Sequence, residues 1–280
     1  MAESAYAINL AGLRIGLSLE DTLGPLDPLL YPYLAEEQES APADLTVEIH
    51  DKPIPGEPLP AELELHAGPV IAYPLPEGWR LDRPDGRLLA DADFTACRVW
   101  MNFKSDPTEG FSGQPWLLLS LWGYLAHHGG ALLHGAVCEL DGHFVVFLGR
   151  PTAGKSTLSR LVAAAEGGFV TDEYPVFTGR EGTTWAHGTP WPGGGGRVSR
   201  FSAPLEAVFF LRHAPTNQLR RLEVAEAGQR LLRNAQFFIW DRPTIPATVE
   251  LLDRTACTVP CYDFGFLPDA SAVTCLREVL

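Results

Sequence analysis

The sequence predicts an α/β protein: a phosphate-loop domain preceded by a β-rich N-terminal part. Three observations carry that expectation. An apolar run, His143-Phe144-Val145-Val146-Phe147-Leu148, leads straight into GRPTAGKS, Gly149 to Ser156, and a helical pattern with Leu158, Leu161 and Val162 follows. Asp141-Gly142 separates that run from another β-rich stretch, Ala131 to Leu140, and Asp-Gly between two such runs is a strong hairpin signal. The N-terminal residues, by contrast, alternate short extended segments with proline-punctuated connections.

The eight residues from Gly149 match G-x-x-x-x-G-K-[ST] in full, and the chemistry explains the pattern. Glycines let the backbone close into a concave loop whose N–H groups point at phosphate oxygens. The helix that follows offers unpaired N-terminal amides and the positive end of its dipole to the same anion. Lys155 adds a charge that reaches the β- and γ-phosphates, and the Ser156 hydroxyl can ligate Mg²⁺. Nucleotide binding by Gly149, Arg150, Pro151, Thr152, Ala153, Gly154, Lys155, Ser156 and Thr157 is therefore predicted; a plain glycine turn between strand and helix is the alternative.

The N-terminal elements come first in order. Tyr6–Leu10 and Leu13–Leu19 flank Ala11-Gly12 as an opening hairpin. Leu45 to His50 alternates apolar and polar residues, as a half-buried strand does. Trp79–Asp82 and Arg87–Ala90 flank Arg83-Pro84-Asp85-Gly86, a turn sequence, and Thr95 to Met101 alternates again. This part carries no catalytic constellation and reads as an accessory module or an added layer on the main sheet.

From Gln114 the character changes. Trp116 to His127 reads as an apolar helix stopped by Gly129-Gly130. His127 and His128, being adjacent on a helix, read as its exposed end rather than as a pair of ligands. After the loop helix, Phe169-Val170-Thr171 forms a strand that ends in Asp172-Glu173. It is expected beside the strand carrying the loop, where a carboxylate can stand near Mg²⁺; a solvated strand end is the alternative. Gly188 to Gly196, which ends in four consecutive glycines, reads either as a loop closing over substrate, with Arg197 or Arg200 reaching a phosphate, or as a floppy connection. Leu205–Leu211 reads as a strand, Val224–Leu232 and Ala270–Leu280 as helices, and residues 243–262 show no single pattern. Arg212, Arg220 and Arg221 form a basic cluster that reads as a solvated strand end.

Composition narrows the function classes. At 280 residues, 46% apolar and 20% charged, the chain can bury a sizeable core. Its formal charge of −14 repels phosphate backbones at long range, which argues against nucleic acid as a partner. No apolar run is long enough to span a membrane, and Met1 to Leu10 lacks the pattern of a secretory signal. Five scattered cysteines (Cys97, Cys138, Cys257, Cys261, Cys275) fit a reducing compartment, so a cytoplasmic protein is expected. Cys257 and Cys261 lack the second close pair of a structural zinc site.

Three features in order carry a family resemblance: His134-Gly135 on the strand before the hairpin, GRPTAGKST opening the next helix, and Val170-Thr171-Asp172-Glu173 closing the following strand. This segment resembles the catalytic domain of HPr kinase/phosphorylase and its kinase-like relatives, a domain itself similar to phosphoenolpyruvate carboxykinase. Useful resemblance spans residues 115–240. It implies an HPr kinase-like catalytic domain over 113–280; the β-rich accessory region over 1–112 is read from its own strand pattern and does not resemble the family's N-terminal domain. The pattern is closest to divergent relatives encoded with peptide-modification systems. In these, Gly-Thr-Pro-Trp (Gly188 to Trp191 here) and Ala-Pro-Leu (Ala203 to Leu205) recur, and some phosphorylate a serine of a ribosomal peptide such as a lasso peptide.

The resemblance implies roles residue by residue. Asp172 would take the proton from the attacking hydroxyl, with His134 near it. Lys155 would hold the phosphates, and Ser156, Asp172 and Glu173 would serve the metal. Glu173 stands where the bifunctional enzymes usually carry aspartate, and their glutamate-arginine-glycine motif has no counterpart near Gly188. The expectation is an ATP- and Mg²⁺-dependent kinase that moves the γ-phosphoryl group to a hydroxyl, foremost a serine of a peptide or protein. A non-catalytic nucleotide-binding module and a small-molecule kinase are the alternatives. The expected partner is a peptide or protein bearing the acceptor hydroxyl, with no nucleic acid and no membrane; a homo-oligomer is compatible with the sequence. The acidic net charge could favour an acceptor segment bearing positive charge.

Overall fold

A computed structural model describes residues 3–20, 23, 25–36, 41–56, 70–101, 114–171, 173–192 and 198–280. It is a mixed α/β protein whose chain divides into two compact units, Met1–His128 and Gly129–Leu280. The 112/113 boundary expected from the sequence lies outside the described residues. The helix that follows it, α1 (Trp116–His127), falls within the first unit.

The first unit builds its own sheet of seven strands rather than a layer added to another. Strands β1 (Glu3–Leu10) and β2 (Leu13–Glu20) pair antiparallel across Ala11 and Gly12, both at positive φ (57° and 76°), as a two-residue hairpin turn needs. The alternating β3 (Leu45–His50) buries Leu45, Val47 and Ile49 and pairs parallel to β2. Strands β4 (Ile71–Leu75), β5 (Gly78–Arg83), β6 (Gly86–Ala90) and β7 (Ala96–Met101) form an antiparallel meander. Its last strand returns parallel to β3, giving the order β1-β2-β3-β7-β6-β5-β4. Helix α1 packs on Phe94, whose ring leaves no room for a side chain at Gly123: a Cβ there would stand 2.2 Å from Phe94 Cδ1. At its end His127 and His128 each place Nδ1 2.8 Å from the carbonyl four residues back, closing the last turn. That is the helix-end role the sequence indicates for them.

Among its described residues the second unit holds two sheets. Its elements are β8 (Ala131–Leu133), β9 (Gly135–Leu140), β10 (His143–Leu148), α2 (Lys155–Ala164), β11 (Gly168–Thr171), β12 (Val176–Arg180), β13 (Thr183–His187) and β14 (Ser202–Pro204). They continue with β15 (Ala207–His213), β16 (Gln218–Arg221), α3 (Val224–Asn234), β17 (Ala235–Gln236), α4 (Ile245–Thr258), β18 (Cys261–Phe266) and α5 (Ser271–Arg277). One sheet runs β11-β9-β10-β15-β18-β16 and the other β14-β13-β12-β8-β17. The predicted hairpin is β9–β10, with Asp141 and Gly142 at φ 53° and 88°. Strand β10 is buried on both faces, which is why its sequence does not alternate. Val145 and Phe147 pack with Leu158 and Val162 of α2 and with Val273 and Leu276 of α5. Val146 and Leu148 pack with Leu231 of α3, Leu251 and Leu252 of α4, and Phe177 of the second sheet.

Two expectations are corrected. The stretch Ala131–Leu140 is not one strand: it breaks at His134, giving β8 to one sheet and β9 to the other. Strand β11 is not beside β10 but pairs antiparallel with β9, one strand further out. Since β9 is antiparallel to both, β11 and β10 still point the same way and end at the same edge. The patternless residues 243–262 resolve into α4 and the start of β18, the latter pairing parallel to β15.

A buried histidine braces the second sheet. His187 Nε2 lies 2.7 Å from Thr178 Oγ1 and Nδ1 2.8 Å from Ser202 Oγ, tying β13 to β12 and β14. Burial, helped by the charge of Arg180, pushes its pKa down to about 3. A base whose folded pKa lies below its unfolded value loses stability as pH falls, because the unfolded chain takes the proton first. From this group the loss runs from about pH 6.5 to pH 3, at up to ~1.4 kcal/mol per pH unit. In urea unfolding, the stability advantage of wild type over His187→Gln should be constant above about pH 7 and shrink below pH 6. A pH-independent difference would contradict the buried neutral state.

Candidate functional site

The site forms where β10, β11 and β15 end. Leaving β10 at Gly149, the chain crosses residues 150–153 and enters α2 at Lys155. Gly154 sits at φ 99°, a left-handed conformation that glycine adopts without cost, and a Cβ there would meet the Phe266 ring at 2.6 Å. Thr152 is also left-handed, at φ 69°, which strains a β-branched residue. His213, at the end of β15, holds that crest: its Nε2 donates to the Thr152 carbonyl at 2.7 Å. A second loop bond runs from Ala153 N to the Arg150 carbonyl at 3.0 Å.

Lys155 curls back into this loop. Its Nζ donates to the Gly149 carbonyl at 3.0 Å, and the residue is only 7% exposed. Burial lowers its pKa, and the nearby Glu173 carboxylate opposes that shift. The ammonium thus rests on a loop carbonyl at the centre of the cradle, where a phosphate oxygen would be the stronger partner. Ser156 and Thr157, partly buried, open the first turn of α2.

His134 and Glu173 meet on the other side. At the break between β8 and β9, His134 N donates to the Asn234 carbonyl at 3.0 Å, and Gly135 N reaches the Glu173 carbonyl at 3.3 Å. Gly135 is demanded by packing, since a Cβ would stand 2.6 Å from Leu148 Cδ2. His134 Nδ1 lies 3.7 Å from Glu173 Oε1, and each side chain is about one-third exposed (30% and 32%). Burial, then the charge of Lys155, lowers the His134 pKa; Glu173 pulls it up. The net direction favours a neutral imidazole able to accept a proton. Asp172, the expected base, lies outside the described residues.

A cleft of about 1130 Å³ adjoins the loop, lined by Gly149–Ala153, His134, Phe210–His213, Arg230, Arg233, Asn234, Gln236 and Asp263. Arg212 and Arg230 are fixed by Asp263, at 3.0 and 2.7 Å, and Arg230 also bonds Glu226 at 2.7 Å. Arg220 pairs with Glu226 at 2.9 Å. The basic cluster is exposed, as expected, but Arg212 also faces the cleft. Of the predicted residues, the structure brings together the loop, Lys155, His134 and Glu173. Sequence reading missed His213, Arg230 and Arg233. The arginines had a signal: they sit three apart on a strongly amphipathic helix, hence on one face.

Among the described residues no three His, Cys, Asp or Glu side chains cluster tightly enough to hold a metal by themselves. The Ser156 hydroxyl and the Glu173 carboxylate would be the protein's donors to a Mg²⁺ ion, which substrate phosphates and water would otherwise hold. No described helix is long and apolar enough to cross a membrane.

Fold and site together define a mixed α/β protein that presents a glycine loop, a buried lysine and a histidine–carboxylate pair at one sheet edge. No family model matches this sequence, and no curated protein matches it. Among solved structures the chain is similar to the HPr(Ser) kinase/phosphatase from Coxiella burnetii, with 11% identity and a TM-score of 0.33, over 53% of this chain and 87% of that one.

Proposed function

We propose that this protein is a phosphotransferase that uses ATP and Mg²⁺ to phosphorylate a hydroxyl, foremost a serine of a peptide or protein. The observation that carries the reading is Lys155: a buried ammonium bonded to a loop carbonyl, between a glycine crest and the first turn of a helix. Gly149–Thr157 would hold the nucleotide phosphates through backbone amides and Lys155, neutralising charge as it moves toward the leaving group.

In the transfer, the acceptor oxygen attacks the γ-phosphorus, the bond to the β-phosphate oxygen breaks, and ADP leaves with that electron pair. The acceptor proton passes to a base at the end of β11. Asp172 takes that role on sequence grounds, with neutral His134 beside Glu173 orienting the hydroxyl. A bound Mg²⁺, held by Ser156 and the acids at 172 and 173, would supply charge neutralisation on the phosphates.

Incubating the protein with γ-labelled ATP and Mg²⁺, and with serine peptides or small hydroxy compounds, tests the reading. An acid-stable, base-labile label on a peptide serine, abolished by EDTA, is the expected result. Tight ATP binding without transfer to any hydroxyl would replace the enzyme by a nucleotide-binding module.

A further inference from the structure

We propose that the arginine-lined cleft beside the loop receives a carboxylate-bearing acceptor, so that the phosphorylated hydroxyl lies in an acidic peptide segment. This rests on the phosphotransferase reading and names its substrate class. In a chain with 35 acidic and 21 basic residues, the cleft is lined by Arg150, Arg212, Arg230 and Arg233 against one carboxylate, Asp263. That carboxylate is committed: one oxygen accepts from Arg212 and the other from Arg230. Arg230 is further tied to Glu226 and lies over the Phe210 ring, 5.6 Å from its centroid. Its guanidinium is thereby held in place, with Nη1 and Nη2 already given to Asp263 and Glu226. Arg150 and Arg233, both exposed, have no carboxylate partner among the described residues.

The cleft begins at the phosphate loop, Gly149–Ala153, and runs on past it to α3, where an acceptor would lie next to the bound phosphates. Helix α2, whose N-terminus would take the phosphates, packs on the α5 face of the sheet. The cleft includes Leu211 of that face and reaches beyond it to Phe210, whose side chain belongs to the opposite face with Leu231 of α3. His134, the group placed beside the acceptor hydroxyl, lines this same cleft. Arg233, with Arg150 at the edge of the loop, would thus favour an acidic acceptor segment locally, in place of the positively charged one that net charge alone suggests.

The test uses a fluorescein-labelled serine peptide flanked by aspartates, its lysine-flanked counterpart, glycerate as a small hydroxy acid, and a fluorescent ATP analogue. The acidic peptide should bind and be phosphorylated at least about tenfold better than the basic one, with strong salt dependence. Arg233→Glu should lower its kcat/KM about tenfold or more, leave the ATP-analogue Kd within about twofold, and leave thermal unfolding unchanged; Arg233→Lys should retain most activity. Labelling of glycerate alone would assign the same anion chemistry to a small hydroxy acid rather than a peptide and overturn the peptide claim. Preference for the basic peptide, or an Arg233→Glu defect in nucleotide rather than peptide affinity, would overturn the proposal entirely. Absence of ATP binding would instead defeat the phosphotransferase reading, and peptide anisotropy without nucleotide would still report on the cleft.

Discussion

Lys155→Ala should weaken Mg·ATP binding by at least tenfold and cut phosphoryl transfer by about two to three orders of magnitude, the loss typical of a preorganised charge aimed at the transition state. The fold should survive. What the substitution removes is a buried ammonium whose pKa burial already lowers and whose bond at 3.0 Å goes to a loop carbonyl rather than to the core. Lys155→Arg should rescue little, because a planar guanidinium cannot replace a compact charge tucked against the Gly149 carbonyl. Equilibrium binding of a fluorescent nucleotide, with thermal unfolding alongside, separates a site defect from a folding defect. Unchanged nucleotide affinity in a folded Lys155→Ala protein would mean that the loop does not bind phosphate.

Asp172→Asn should do the opposite: ATP affinity stays within about twofold of wild type while kcat falls by about two to four orders of magnitude, the range expected for a lost general base. Glu173→Gln sharpens the assignment. Glu173 is the carboxylate that stands near His134 and acts on both His134 and Lys155. Its loss should depress the His134 pKa further and shift the acidic limb of the pH–rate profile toward lower pH. If Glu173→Gln proves the more severe in kcat and Asp172→Asn is nearly silent, the base lies one residue later than the sequence pattern indicates. Rapid-quench single-turnover measurements on both variants read the chemical step directly.

Much of the second unit was legible because its local signals agree with its packing. The Asp141-Gly142 turn needs two positive φ angles and takes them, and the unbroken apolar run of β10 is what a strand buried on both faces requires. Gly154 and Lys155 could be read from the loop pattern alone, since a left-handed residue and a central cation are what such a cradle demands. The break at His134 was not legible. Nothing in Ala131–Leu140 interrupts the β-rich pattern except Gly135, and its reason, contact with Leu148 across the hairpin, is tertiary. The place of β11 beyond β9 was hidden for the same cause: strand order is set by which faces are left to cover, not by any one segment. The cleft drew its residues from β15, α3 and β18, elements far apart in sequence, so its positive lining could not be seen in an acidic chain. Helix α4 was missed because Thr248 and Thr255 sit among its apolar residues; both are buried, with hydroxyls satisfied by the Gly130 and Leu251 carbonyls.

The central claim is that Gly149–Ser156 binds nucleotide phosphate, and an isothermal titration of the full chain with Mg·ATP tests it most directly. Saturable one-to-one binding, with a Kd at or below about 1 mM and competition by pyrophosphate, is the predicted result. A folded wild-type protein that shows no saturable heat up to about 10 mM Mg·ATP would contradict it.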